Sequence, residues 1–384
     1  MHIVYLCDEY PPNKSGGIGI FIQVIARALV KKGHQVTVVG PGQNPGKRDD
    51  YGVTVVEFKP NNAKLIGWIL TRLKWRKELK KVHDNTPIDV LETMDWHGYM
   101  YIIHNSIPRS VPRAVRLEGS TIFFNKKLGN KQSKVTAFLE RHCLKRADVI
   151  IAITKYIYNE MSLIVPEIIN KPYAVIYNPV DISSFNPELN SIEDKNTVLY
   201  AGTLTKKKGI FELAKAWNII VAEKPDAVLK LAAKDTFSAE HGLNCSEVFF
   251  NLIKDEYKSR VNWLGSVNHD ELPKIFANAS ICVFPSYMET QGIVAIEAMA
   301  MAKATIFTQL GPGPEIIEHN VSGILVNPYK PEEIANHIIV LLDNEQRRKE
   351  LGLNALKRVK ALFDLEPIVK INEEFYQQII ERTK

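Results

Sequence analysis

The sequence predicts an α/β protein made of two Rossmann-like domains, each a parallel sheet wrapped by helices. Three observations lead there. Short apolar runs of strand length alternate with helix-length amphipathic segments along most of the chain. The alternation breaks at a polar, proline-bearing stretch and then begins again. Finally, 384 residues exceed one ordinary domain and suit two.

In the first half the apolar runs at 3–7, 36–39, 53–58, 89–92, 114–117 and 149–153 read as strands. Residues 20–32 read as a helix stopped by Gly33. The polar segment 177–195, with Pro179 and Pro187, reads as the linker, giving domains 1–180 and 181–366. In the second half, strands are expected at 198–201, 228–232, 261–264, 281–284, 304–307 and 324–326. Helices are expected at 211–223 and 331–342. Residues 367–382 form an amphipathic helix with no strand after it, free to join either domain and grouped here with the first as 367–384.

Composition narrows the function classes. Hydrophobic residues make up 45% and charged residues 24%, which is globular, and no apolar run reaches membrane-spanning length. The first residues enter a strand directly without a signal-like segment, so the expected location is the cytoplasm. Four cysteines stand singly, which argues against a metal site or disulfide framework. A net charge of +6 favours an anionic ligand or surface without requiring nucleic acid.

The densest chemical signal lies at 280–300. The strand 281–284 is broken by Pro285 and Ser286, and an apolar helix follows from about Gly292. Glu289 falls in the loop and Glu297 inside the helix. The carboxyl ends of parallel strands are where such sheets bind ligands, and a helix start offers free N–H groups to phosphate. The macrodipole alone accounts for Glu289 but poorly for Glu297.

Two βα turns add to this. Gly16-Gly17 precedes the first helix and reads equally as a ligand loop or a connector, since it fits neither the dinucleotide nor the Walker pattern. Lys206-Lys207-Lys208-Gly209 opens a helix whose dipole opposes lysine. Either an anion occupies the crevice or the loop is simply solvated. Gly311-Pro-Gly313-Pro-Glu315 reads as a turn opening a short helix.

Taken in order, Gly16-Gly17, Asn178-Pro-Val-Asp181, Gly202…Lys208-Gly209, Gly265-Ser-Val267, Phe284-Pro-Ser286, Glu289-x₇-Glu297 and Gly313-Pro-Glu315 resemble the family-4 retaining glycosyltransferases of group 1. That family has the GT-B architecture of two Rossmann-like domains facing across a cleft. The resemblance implies a nucleotide-diphosphate sugar donor, UDP- or GDP-linked, in the second domain. Lys208 would neutralise the diphosphate, Glu297 would bind ribose and Glu289 the donor sugar. The backbone of Gln291, Gly292 and Ile293 would meet sugar and phosphates, and Val267 the base. Gly16 and Gly17 would approach the diphosphate from the first domain. The acceptor would be a carbohydrate or a lipid-linked sugar, with no cofactor and no metal.

Three positions depart from the family pattern. Thr203 stands where an arginine assists Lys208, leaving Lys206 or Lys207 as substitutes, though lysine lacks the guanidinium fork. Gln291 replaces a frequent aromatic. Glu118 stands where relatives carry histidine, either accepting a hydrogen bond from a sugar or serving as a loop acid. Asp95-Trp96-His97 and His104 lie in a segment that reads either as a border of the acceptor cleft or, as is more common for isolated histidines, as structural. The basic amphipathic stretch 64–81 reads either as a contact with anionic lipid at the inner face of a membrane or, more commonly, as a core-facing helix with a solvated basic face.

Other readings remain at this level. An oxidoreductase is disfavoured because neither half has the dinucleotide fingerprint. A GT-B-type sugar phosphorylase and a non-catalytic sugar-nucleotide-binding subunit stay open.

Overall fold

The structure is a computed structural model that describes every residue except 14, 15, 65, 188–193 and 384. Ser15 of the glycine turn, Leu65 of the basic stretch and part of the linker therefore lie outside the described residues. The chain divides into two compact units: Met1–Asn178 with Leu365–Lys384, and Pro179–Asp364.

Unit 1 runs β1 (His2–Leu6), α1 (Gly17–Lys31), β2 (Gln35–Pro41), β3 (Gly46–Asp50), β4 (Val53–Phe58), α2 (Gly67–Asn85), β5 (Val90–Met94), β6 (Arg113–Leu117), α3 (Thr121–Leu128), α4 (Lys134–Arg146), β7 (Val149–Ala152), α5 (Lys155–Ile164) and β8 (Tyr173–Val175). Its sheet has the order β3-β4-β2-β1-β5-β6-β7-β8, parallel except for β3. The central strands are buried along their whole length because helices cover both faces, which is why they read as unbroken apolar runs.

β3 escapes sequence reading. Gly-Lys-Arg-Asp-Asp has no apolar alternation because it is a charged edge strand. It turns back onto β4 through Tyr51 and Gly52, both at positive φ as a tight primed hairpin turn requires. The first helix also begins at Gly17, earlier than the expected residue 20.

Unit 2 runs β9 (Thr197–Thr203), α6 (Ile210–Glu223), β10 (Val228–Lys234), the short pair β11 (Phe237–Ser238) and β12 (Leu243–Asn244), α7 (Cys245–Asn251), β13 (Val261–Gly265), α8 (Leu272–Ala277), β14 (Ile281–Phe284), α9 (Ile293–Ala300), β15 (Ala304–Thr308), α10 (Gly313–Ile316), β16 (Ile324–Val326), α11 (Pro331–Asp343) and α12 (Glu345–Leu362). The six-stranded sheet is parallel in the order β13-β10-β9-β14-β15-β16. Renumbered within the unit, this is the doubly wound order 3-2-1-4-5-6, with its switch point between β9 and β14.

The last helix, α13 (Leu365–Thr383), returns to unit 1. Ile368, Val369, Tyr376 and Ile379 enter the unit 1 core beside Ile22, Ile25 and Leu29 of α1. A fully buried polar network fastens it. Arg116 donates through Nε to Glu92 at 2.7 Å and through Nη2 to Asn372 at 2.6 Å. Tyr376 donates to the other Glu92 oxygen at 2.6 Å and shares a 3.0 Å bond with Tyr5. Every group in the network that carries charge has a partner, as burial demands.

Candidate active site

The switch point of unit 2 brings the two richest sequence signals together. β9 and β14 are neighbours, so the lysine turn after one and the acidic loop after the other emerge side by side. Backbone contacts lock them. The Tyr287 N–H donates to the Lys207 carbonyl at 2.9 Å. Gly209 sits at φ +69° against Pro285, whose carbonyl oxygen would be 1.8 Å from a Cβ at that position. Only glycine meets both the left-handed conformation and the close approach.

The consequence is a direct ion pair. Lys208 Nζ donates to both Glu289 oxygens, at 2.7 and 2.9 Å, and Ser286 Oγ donates to Oε1 at 2.7 Å. Glu289 is 8% exposed, so its charge is held by these donors and not by bulk water. Lys206 is drawn away into an exposed pair with Glu240. Lys207 stays near Lys208 and Glu289, and burial together with the Lys208 charge holds its ammonium below the usual lysine range. Of the two lysines considered as substitutes for the missing arginine at Thr203, Lys207 is the one next to the pair.

Gly292, at φ +89°, caps α9 without any side-chain cap. Gln291 and Gly292 are buried, Ile293 is half-buried, and the uncapped first turn of α9 is the anion-seeking end of the helix.

One turn into α9, Glu297 is 5% exposed, and its Oε1 lies 2.8 Å from His269 Nε2. The carboxylate raises the His269 pKa, outweighing burial. Sequence reasoning missed His269. It follows half-buried Val267 by two residues, but only the fold carries the loop after β13 to α9. Its other face packs edge-on against Phe185, with ring centroids 5.4 Å apart.

Unit 1 gathers its own acids at the carboxyl edge of its sheet. Asn178 donates to both Glu118 oxygens, at 3.0 and 2.8 Å, and the Glu118 N–H donates to Asp95 Oδ1 at 3.0 Å. Burial pushes the Glu118 carboxyl up to about 7, against the opposing pull of Arg116 and Asn178. Asp95 is buried and also raised well above the carboxylate range. His97 adopts φ +57° between Asp95 and Gly98, with its N–H on Glu140 and its carbonyl receiving Arg72 Nη2 at 2.6 Å. His104 plays a framework part, its carbonyl accepting from Arg113.

Because Glu118 binds its proton more tightly folded than unfolded, its stabilising contribution is complete below the ordinary glutamate pKa and is lost as pH rises through about 7. Glu118→Gln, which does not titrate there, is expected to gain stability relative to the native protein between about pH 5 and about pH 8. Thermal midpoints of both proteins across that range test this. A constant gap would contradict it.

Gly16 and Gly17 form the start of the first helix. Neither takes a positive φ: Gly16 is the extended N-cap and Gly17 the first residue of α1. The Gly16 N–H already donates to Glu9 at 3.2 Å, while a Cβ on Gly17 would meet nothing within 4 Å. The glycine whose smallness the fold needs is Gly19, which abuts the Glu9 carbonyl.

Thr203 ends β9, its carbonyl accepting from Tyr200 at 2.9 Å. Among the described residues, no three His, Cys, Asp or Glu side chains converge as a metal site would require.

Comparison with known proteins identifies the family and the fold. Residues 181–358 match the family described as glycosyl transferases group 1, and residues 15–184 match glycosyltransferase family 4. An uncharacterized glycosyltransferase of Methanocaldococcus jannaschii is 27% identical over 99% of both chains. Among solved structures, sucrose-phosphate synthase from Thermosynechococcus elongatus superposes with a TM-score of 0.82 at 21% identity, covering all of both chains. Anabaena HepE in complex with UDP-glucose superposes at 0.72 with 19% identity, over 100% of this chain and 99% of that one. The two family matches together run from residue 15 to 358, and the protein is a member of the group 1, family 4 glycosyltransferases with their GT-B fold.

Proposed function

We propose that the protein is a retaining, metal-independent hexosyltransferase that uses a nucleoside diphosphate sugar. Unit 2 binds the donor, and unit 1 receives a carbohydrate or lipid-linked acceptor of surface polysaccharide or glycolipid synthesis. The supporting observation is the meeting of Lys208, Glu289, the uncapped α9 start and Glu297 at the switch point of the unit 2 sheet. A UDP-linked donor is favoured over a GDP-linked one by the likeness to HepE, which was solved with UDP-glucose.

In this reading Lys208 exchanges Glu289 for the diphosphate. The released carboxylate then accepts hydrogen bonds from donor sugar hydroxyls. The amides from Gln291 to Ile293 and the cations Lys208 and Lys207 stabilise the charge that builds on the departing phosphate. Glu297 takes the ribose hydroxyls while His269 holds one of its oxygens in place, and Val267 lies under the base. Thr203 leaves room near the phosphates. Glu118, poised near neutrality, accepts a hydrogen bond from a sugar hydroxyl.

The acceptor hydroxyl attacks the anomeric carbon on the face the diphosphate leaves. The carbon–oxygen bond to the diphosphate breaks, and the departing phosphate oxygen takes the acceptor's proton. Proton NMR of the anomeric centre after turnover, run with a chelator present, tests the proposal. Retained configuration at an undiminished rate is expected. An inverted product, or a rate that collapses with chelation, would contradict it.

A further inference from the structure

On unit 1, the exposed side of α4 and the start of α2 meet in one aromatic patch. The Trp68 ring centroid lies 6.2 Å from Tyr101, and Tyr101 lies 5.5 Å edge-on from Phe138. Phe138 is 55% exposed, Val135 one turn before it 54%, and Ile66 at the head of α2 54%. Scattered apolar side chains are normal on a protein surface, but a joined cluster calls for an occupant.

The charges around the cluster indicate which. α4 intersperses its exposed apolar positions with Lys134, Arg141, Lys145 and Arg146. Its one acid, Glu140, is fully buried and turned inward, where it accepts the N–H groups of His97, Thr121 and Ile122. Lys64 precedes Ile66, and Arg76 follows along α2, both exposed. A second copy of this chain would set cation against cation. An aromatic ridge flanked by snorkelling lysine and arginine matches the boundary between headgroups and acyl chains of an anionic bilayer.

We propose that this patch seats unit 1 on an anionic phospholipid surface. The basic stretch at 64–81 supplies only part of it. The Val135–Phe138 ridge of α4 is the other half, and the lysines of α2 that face away from the ridge take no part. Such seating would deliver the enzyme to a lipid-linked acceptor, yet vesicle binding needs no sugar transfer and can be measured separately from it.

The test is co-sedimentation of the full chain with phosphatidylcholine vesicles, with and without phosphatidylglycerol. Binding to the anionic vesicles should be about tenfold or more tighter than to the neutral ones. Val135→Ser with Phe138→Ser should weaken it about tenfold or more, as should Arg141→Glu alone. Lys330→Glu, a charge reversal on unit 2, should leave it unchanged. Equal or absent binding to both vesicles, or an Arg141→Glu protein that binds like the native one, would overturn the proposal. So would a concentration-dependent dimer in sedimentation that the serine variant dissolves. Arg141 is exposed, so its variant keeps the test decisive even if the serine variant unfolds.

Discussion

Lys208→Ala is expected to slow sugar transfer by about 10²–10³-fold, the scale seen when one donor to a developing negative charge is removed. The ammonium is the nearest cation to Glu289 and stands at the end of the β9 turn, beside the uncapped start of α9. Its loss removes both the counter-charge of the buried carboxylate and the main partner proposed for the leaving diphosphate. Steady-state rates with a saturating donor would measure this, with the thermal midpoint recorded to separate chemistry from folding. Lys206→Ala, by contrast, breaks only an exposed pair with Glu240 and should leave the rate within about twofold, since such pairs contribute little. Similar losses in the two variants would mean that the lysine turn acts only through its overall charge.

The largest stability effect is expected at Arg116. Alanine there takes the guanidinium partner from the fully buried Glu92 carboxylate, leaving it the Tyr376 bond, and it frees the Asn372 anchor of α13. Removing one member of a buried pair costs about 3–5 kcal/mol. Urea unfolding would report it as a lowered midpoint. Arg116→Met combined with Glu92→Met should recover most of the loss, because the uncompensated charge is then gone. If the double variant were as unstable as the single one, the network would owe its value to shape, and the charge argument would be wrong.

Much of this was readable in the chain because it is local. A buried parallel strand must be apolar on both faces, so residues 3–7 or 281–284 announce themselves, and the spacing from Glu289 to Glu297 survives intact as loop and helix. What escaped depends on contacts distant in sequence or on edges. β3 is polar because it borders solvent. His269 reaches Glu297 only through the sheet order, and Asn178 meets Glu118 only through packing inside unit 1. A signal for the Arg116 network was nonetheless present. Charged residues embedded in the apolar strands of β5 and β6 have to be paired with something, and Glu92 with Arg116 is that pair.

The glycine turn shows how a sequence signal can sit beside the position that matters. Adjacent glycines at 16 and 17 draw the eye in the sequence, yet the helix simply starts there, and the steric demand falls on Gly19.

The account rests on unit 2 gripping a diphosphate at the β9–β14 switch point. The most direct measurement is a crystal structure of the protein with UDP-glucose bound. The account predicts that Lys208 leaves Glu289 for a diphosphate oxygen, that the α9 start faces the phosphates, and that Glu297 receives the ribose. A nucleotide bound elsewhere, with the Lys208–Glu289 pair intact and Glu297 away from the ribose, would contradict it.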